Sequence, residues 1–550
     1  MDVTVERRRA MSPGARWAIA AGAALVWAVV RATDGEVVNG GGWSAFAEFW
    51  TTIVRPETSA EFLRLTIDAA ATTLALAILG TALAVAIGVV AAPLLAERTS
   101  PRPVRRFVRA LLTVPRGVHE VIWAILLAEV LGFDPWVGII AIGLPFGAIS
   151  AKVFAETIDE TDPAAYERLR SLGAGRLAAL VYGIVPTIRG ELTSFGFYRL
   201  ECAIRSAAVL GVIGVGGLGF QLDLSFESLR YDEIWTLIVA LMLLSGSADW
   251  LSGRLRRRAR DGRSTVERER RVLASGLAAT AFAIGASWLW LAPDAGLIGS
   301  ERTRDRFVGL VDDLVPPRLG PGGWSELIGA TVDTIAMAVI ALAIAVSLGL
   351  LVALRAARPV GRTADSIGPG SRITGWGLRL LLLLWRAVPA PIWAFLLVLV
   401  LFPGVWPGAV ALGIYNAGVV GRLFAEVIEE RDPGPSDRLQ ALGAPAIIRT
   451  LYATIPTAAG RLVSIALYRS EVIVRETVVV GVVGAGGLGQ LINEHRAARD
   501  LAATAGAVLA MIALAALIDV VSARIRCDLR PDRTVTVRRS TRRRRALAVS

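Results

Sequence analysis

The sequence predicts an all-α polytopic membrane protein: a tandem parallel repeat of two six-helix units, with about 12 transmembrane helices. Three observations lead there. Hydrophobic residues make up 54% of the 550-residue chain and charged residues only 19%. Uncharged runs such as "AAATTLALAILGTALAVAIGVVAAPLLA" (Ala69–Ala96) exceed the roughly 20 apolar residues that a bilayer span needs. Finally, "FAETIDETDP" at Phe154–Pro163 returns as "FAEVIEERDP" at Phe424–Pro433, 270 residues later.

The same offset of 270 pairs Trp123 with Trp393, Pro186 with Pro456, Tyr198 with Tyr468, Glu201 with Glu471, Arg205 with Arg475 and Asp249 with Asp519. Thr73 pairs with Thr334 at an offset of 261, so the second half carries a longer loop around Pro359–Trp376. The units divide at residues 1–260 and 261–550. In the first, spans are expected near Ala15–Arg31, Thr66–Ala96, Val108–Leu131, Trp136–Lys152, Ala203–Leu222 and Ile234–Leu251. In the second they are expected near Val272–Leu291, Thr331–Ala357, Leu378–Leu401, Pro407–Arg422, Val474–Ile492 and Leu501–Val521. Abundant glycine suits such helices.

Charge sets the orientation. The formal net charge of +12 resides in arginines beside span ends, at Arg7–Arg9, Arg102–Arg109, Arg254–Arg271, Arg355–Arg379 and Arg524–Arg545, the last containing "RRSTRRRR". Basic loops stay in the cytoplasm, which explains the charge without nucleic acid. With the amino terminus inside, loop 32–65 is external and carries Asp34, Glu36, Glu48, Glu57 and Glu61 against Arg55 and Arg64. Loop 97–107 and the linker Arg254–Arg271 are internal and basic. Six spans per unit is even, so the second unit starts on the same side and both termini are cytoplasmic. The apolar run Trp17–Val30 lacks a small-residue cleavage site and reads as the first span.

Between spans four and five, segment 154–198 is polar and internal by this topology. Pro163 suits a helix start, Ala164–Leu172 makes about two and a half turns, and Gly173 suits the stop. A second amphipathic helix leads to Pro186. Segment 424–468 repeats this with a helix over Gly434–Leu442. A short projecting helix with a glycine break is a docking knob for a soluble partner.

These residues carry a resemblance. A carboxylate six residues before a glycine, and a proline thirteen after it, is similar to the EAA loop of binding-protein-dependent ABC importer permeases. Glu167, Gly173 and Pro186 fit in one half; Asp437, Gly443 and Pro456 fit in the other. Arg168 and Leu169, with Arg438 and Leu439, stand where the motif's name puts alanines. "YRLECAIRSAAVLGVIGVGGLG", "IWAILLAEVLG", "AKVFAE" and "DWLSGRLR" resemble the permease subunit of phosphonate importers, and "YRSEVIVRETVVVGVVGAGGLG" with "DVVSARIR" agrees. The resemblance implies the type I importer (MetI-like) transmembrane fold in a bacterial inner membrane, here with two permease units fused. It also implies a dimer of cytoplasmic ATPases on the two short helices, a periplasmic or lipoprotein solute-binding protein outside, and phosphonate or a related organophosphorus anion as cargo. Permeases for methionine and glycine betaine share the "GxGGLG" ending, so these solutes and phosphite stay open as cargo.

Gly214, Gly216 and Gly219 also spell the dinucleotide-binding spacing. That reading needs a soluble strand before the glycines and an amphipathic helix after them, and both are missing here. Within a membrane, Gly214, Gly216, Gly217 and Gly219, with Gly484, Gly486, Gly487 and Gly489, either pack helices closely or break the fifth span and line or gate the passage. Glu201 with Arg205, and Glu471 with Arg475, have i, i+4 spacing, which fits a helix-stabilising pair with snorkelling heads or a charge switch. Asp249 and Asp519 read as interfacial anchors. Glu129 is an intramembrane carboxylate near an external end, opposite Leu399 in the copy, while His119 and Glu120 meet Pro389 and Ala390. The passage is therefore expected to be asymmetric.

Nothing in the sequence reads as catalytic. There is no P-loop, and Lys152 is the single lysine, so ATP and magnesium belong on the partner ATPase and no cofactor is expected on this chain. Cys202 and Cys527 form no disulfide framework, and His119 and His495 lack companions for a metal site. A secondary transporter, also often built from repeats, is the rival reading; it has no need of paired cytoplasmic helices.

Overall fold

The computed structural model describes residues 13–33, 36–260, 266–357 and 369–529. Arg7–Arg9, Asp34, residues 261–265 of the linker, Arg358, Arg362 and the basic run 538–545 lie outside these residues. The first half comprises α1 (Pro13–Ala32), α2 (Trp43–Thr51), α3 (Ala60–Leu95), α4 (Arg102–Gly117), α5 (Glu120–Leu131), α6 (Trp136–Glu160), α7 (Ala164–Ser171), α8 (Arg176–Ala179), α9 (Val185–Leu210), α10 (Leu218–Glu227) and α11 (Tyr231–Arg260). The second comprises α12 (Val266–Leu291), α13 (Glu301–Leu314), α14 (Gly323–Ala356), α15 (Pro369–Ala387), α16 (Ala390–Val400), α17 (Val405–Glu429), α18 (Gly434–Ala441), α19 (Ala446–Arg449), α20 (Ile455–Val482), α21 (Gly487–Ala497) and α22 (Leu501–Leu529). Among the described residues, 8 helices are long and apolar enough to cross a membrane, or 12 if each bent pair counts as one span.

Two long helices form the spine of each half. At 36 residues α3 is roughly 54 Å long, well beyond a hydrocarbon core of about 30 Å, so it stands out of the bilayer. It runs parallel to α6: a Cβ on Gly80 would lie 2.8 Å from Ile142, and one on Gly88 would lie 2.9 Å from Ser150. Small residues let the two backbones approach this closely without a hydrophobic driving force. In the second half, Gly408 sits against Met337 and Gly413 against Ile344, so α14 and α17 are parallel too. Segment 36–57 ties both spines together at one end. Phe402 N, just before α17, donates to Val37 O at 3.1 Å, and Trp235 Nε1 donates to Phe49 O at 2.7 Å before the chain enters α3. The far ends of α6 and α17, and hence α7 and α18, emerge together on the opposite face.

The third span of each half departs from the expected straight helix. Residues 108–131 belong to two helices, α4 and α5, bent by 90°, and residues 378–401 belong to α15 and α16, bent by 90°. His119 is extended and its Nδ1 accepts from Val121 N, which starts a new helix; Pro389 does so in the copy, having no N–H to lose. Arginines line α4, while Phe107, Leu111 and Val114 are exposed on it. That is the pattern of a helix lying in the membrane interface. The fifth span is also longer than expected. The helix predicted to end before Pro186 continues through a π-helical turn, Leu180–Ile184, straight into α9, and Thr450–Thr454 does the same before α20. The wide i→i+5 turn accommodates a proline near the start of the next segment without ending the helix. Cys202, which directly precedes the expected span Ala203–Leu222, therefore lies inside α9.

Each half's first helix crosses to the other half. α1 packs on α14, where Arg31 pairs with Asp333 at 2.9 Å, and α12 packs on α3, where Trp290 Nε1 donates to Thr72 Oγ1 at 3.2 Å.

Candidate functional site

A cavity of about 270 Å³ opens between the two halves. Its wall comes from α4, α5, α6 and α9 on one side and from α15, α16, α17 and α20 on the other. Seven arginines line it (Arg116, Arg199, Arg205, Arg386, Arg422, Arg469 and Arg475) against four glutamates (Glu120, Glu201, Glu426 and Glu476). Tyr198, Tyr415 and Tyr468 add ring surface and hydroxyls. A cationic excess inside low-dielectric walls attracts small anions far more strongly than the same charges would on an open surface.

The charge pairs depart from the spacing-based expectation. Glu201 is 4% exposed and does not snorkel. Arg205 lies 3.4 Å from it as expected, but Arg386 at 2.9 Å and Arg422 at 3.2 Å reach it from the other half. Asp249 is no interfacial anchor: it pairs with Arg422 at 2.6 Å and with Arg386. Two carboxylates and three arginines thus bolt α9 and α11 to α15 and α17. In the copy, Glu471 and Arg475 do not pair with each other. Arg475 turns to Asp519 at 3.1 Å and Glu471 to Arg526 at 2.7 Å. Glu129 is half-exposed and faces Arg496 across the halves at 4.0 Å. Glu120, which has no carboxylate counterpart in the copy, accepts from Ser206 Oγ at 2.6 Å.

Arg199 is 6% exposed and has aromatic rings for neighbours: Phe146 at 5.1 Å, Phe195 at 4.8 Å and Tyr198 at 5.6 Å. Desolvating a guanidinium costs several kcal/mol, of which ring faces return about 2 kcal/mol or somewhat more. Sequence reasoning did not single out Arg199, Arg386 or Arg422. Aligning the halves places Arg199 on Arg469 and Arg386 on Arg116, and that alignment was the available signal.

The glycine clusters break the fifth span in both copies. Gly214, Gly216 and Gly217 all have positive φ, as do Gly484, Gly486 and Gly487. The opened backbone is met from α3 and α14, where Thr73 Oγ1 accepts from Leu218 N and Thr334 Oγ1 from Leu488 N, each at 2.8 Å. Beyond the break the chain folds back on itself: a Cβ on Gly219 would overlap Ala208 O, and one on Gly481 would lie 2.6 Å from Gly489 Cα. The cavity wall stops at Val209 and Val479, so none of the eight glycines lines it.

The short helices project as a matched pair. Gly173 and Gly443 follow them with φ of +89° and +78°. Leu172 and Leu442 are each 82% exposed, and Leu177 with Tyr182, and Ile447 with Tyr452, continue an apolar ridge at equivalent positions. Tyr166 is buried beneath α7 and its hydroxyl donates to Arg98 O at 3.2 Å, fixing the helix to the loop after α3. Glu167 is exposed on α7, whereas Asp437 is half-buried on α18; Pro186 and Pro456 are exposed beyond the π-helical turns.

Duplicated spans around a charged central cavity, with two matched helices at one face, define the architecture of a membrane permease. The chain belongs to the family of binding-protein-dependent transport system inner membrane components, whose model matches residues 84–261 and 366–527. It is thus the multi-pass transmembrane subunit of an ABC importer, a class that works with an ATPase and a solute-binding protein. Among its relatives is the phosphate-import permease protein PhnE of Mycolicibacterium smegmatis, 30% identical over 77% of this chain and 78% of the relative. The phosphite transport system permease protein PtxC of Stutzerimonas stutzeri is 34% identical over 34% of this chain and 68% of the relative. A chain of the methionine ABC transporter MetNI in an inward-facing conformation aligns with 37% of this chain and 97% of its own length, at 22% identity and a TM-score of 0.33.

Proposed function

We propose that this chain supplies both transmembrane halves of an importer that moves a phosphorus oxyanion, either phosphate, phosphonate or phosphite, into the cytoplasm. One observation carries the reading: seven arginines line the cavity between the halves against four glutamates, and even with Asp249 and Asp519 paired to them from outside its wall, Arg199 stays buried without a counter-charge among the described residues. The relatives named for phosphate and phosphite import support the same cargo. Methionine and glycine betaine are zwitterions and have no need of such an excess.

ATP and magnesium belong on two cytoplasmic ATPase subunits, one on α7 and one on α18. Glu167, Gly173 and Pro186, with Asp437, Gly443 and Pro456, shape those two contacts. A solute-binding protein docks on the opposite face, which carries segment 36–57. On this reading both termini are cytoplasmic, which agrees with Trp17 Nε1 donating to Asp528 at 3.1 Å, a bond that holds the start of α1 and the end of α22 on one side. The glycine breaks close the passage above the cavity and reopen when the ATPases pull on the docking helices.

The test is uptake in proteoliposomes carrying this chain with its ATPase and binding protein. ATP-dependent accumulation of phosphate, methylphosphonate or phosphite, without methionine uptake, is expected. Methionine uptake with no phosphorus anion entering would overturn the proposal.

A further inference from the structure

Arg199 and Arg469 occupy the same position in the two halves, 270 residues apart, and both line the cavity. Their surroundings differ. Arg469 is neutralised: its Nε donates to Asn416 Oδ1 at 3.0 Å and its guanidinium pairs with Glu476 at 3.2 Å. At the matching positions of the first half stand Phe146 and Ser206. Phe146 offers only a ring, and Ser206 turns its hydroxyl to Glu120. Arg199 Nε is buried without an acceptor, and among the described residues no carboxylate pairs with this guanidinium. Ring faces attract a cation but accept no directed hydrogen bonds from its five N–H donors.

The other cavity arginines sharpen the contrast. Arg205, Arg386, Arg422, Arg469 and Arg475 are all in ion pairs, and Arg116 is only half-buried. Arg199 alone among the seven is buried, cationic and without a counter-charge. The duplication serves as an internal control: this chain has the means to neutralise an arginine here and uses it in one half only.

We propose that Arg199 is the specificity-determining contact for the transported anion, its planar fork taking two oxygens of a tetrahedral oxyanion while Arg469 stays structural. The inference rests on the reading of the cavity as a phosphorus-oxyanion passage. The rings of Phe146, Phe195 and Tyr198 hold the fork flat and keep water from its faces. An anion that meets one uncompensated cation in a low-dielectric wall is held without being trapped, as a passage requires.

The test is calorimetric titration of the full chain in lipid nanodiscs with inorganic phosphate, methylphosphonate and sulfate. Wild type should bind the two phosphorus anions saturably. Arg199→Gln should weaken binding at least tenfold, and Arg199→Lys should recover part of the loss. The double variant Phe146→Asn with Ser206→Glu gives Arg199 the partners that Arg469 has; it should also lose at least tenfold while keeping the arginine, and so reports even if Arg199→Gln fails to fold. Phosphate binding at wild-type strength in both variants would overturn the role of Arg199 and leave the phosphorus reading intact. Arg199-dependent binding of sulfate, with no binding of either phosphorus anion, would support an anion site and remove the phosphorus reading.

Discussion

Thr73 and Thr334 show how one hydroxyl holds a broken span. Each accepts the first N–H after a glycine break, at 2.8 Å, while donating to a carbonyl one turn back in its own helix. Away from water that N–H has no substitute partner, and leaving it unmade costs about 1–3 kcal/mol. Thr73→Val keeps the shape and removes the acceptor, so the thermal midpoint in detergent should fall by that equivalent, and Thr73→Ser should restore most of it. A midpoint for Thr73→Val equal to wild type would show that another group accepts from Leu218. Glu201 carries a larger effect. Glu201→Gln leaves Arg205, Arg386 and Arg422 with less counter-charge at a buried site, and breaking such a cluster costs about 3–5 kcal/mol. A matching drop in denaturation midpoint is expected, larger than for Glu471→Gln, because Glu471 has one partner on the exposed end of α22. The pair of Glu201 with Arg205 was legible because helical spacing is local. Arg386 and Arg422 were not, because only the assembled halves bring positions 185 and 221 residues apart to the same oxygen.

The elements most legible in advance were those with local start and stop signals. α7 and α18 lie between a proline and a positive-φ glycine, and each ends within a residue of its expected place. The right-angle bend between α4 and α5 was not legible, because Pro115, Arg116, Gly117, His119 and Glu120 interrupt the apolar run without saying what angle follows; the turn comes from the His119 cap and the packing of α5 in the core. The projecting helices support a prediction at this scale. A Cβ on Gly173 or Gly443 meets nothing within 4 Å, so the penalty of a β-branched residue there is purely conformational, about 1–2 kcal/mol, and confined to the end of the docking helix. Gly173→Val with Gly443→Val should therefore leave membrane insertion unchanged while uncoupling ATP hydrolysis from uptake. Leu172→Asp with Leu442→Asp should instead release the ATPase, read as its absence after pull-down. Undiminished uptake in the glycine double variant would count against docking at α7 and α18.

At the scale of the whole molecule, the halves are bound more intimately than a simple tandem repeat requires. α1 leaves its own half to cover α14, and α12 leaves its own to cover α3. Both helices are almost wholly exposed on their other faces, which suits lipid and places them at the rim. The sequence repeat at an offset of 270 revealed the duplication but not this exchange, since a helix apolar on all sides does not say which neighbour it joins. The exchange bears on the proposed boundary at residue 260. A half expressed alone would leave bare the spine face that the other half's first helix covers, and would strip Asp249 and Arg386 of the counter-charges that the other half supplies, leaving Glu201 with Arg205 alone and Arg422 with Glu426 alone. Cutting the chain between residues 260 and 266 removes no described contact, so co-expressed fragments should find each other through the exchanged helices and the ion cluster. Co-purification in equal amounts with ATP-dependent uptake is expected from the pair, and neither fragment alone should survive detergent extraction as a folded monomer. Adding Arg386→Ala and Arg422→Ala to the second fragment should then abolish co-purification. Two fragments that purify separately as stable, folded monomers would show that each half carries its own complete core.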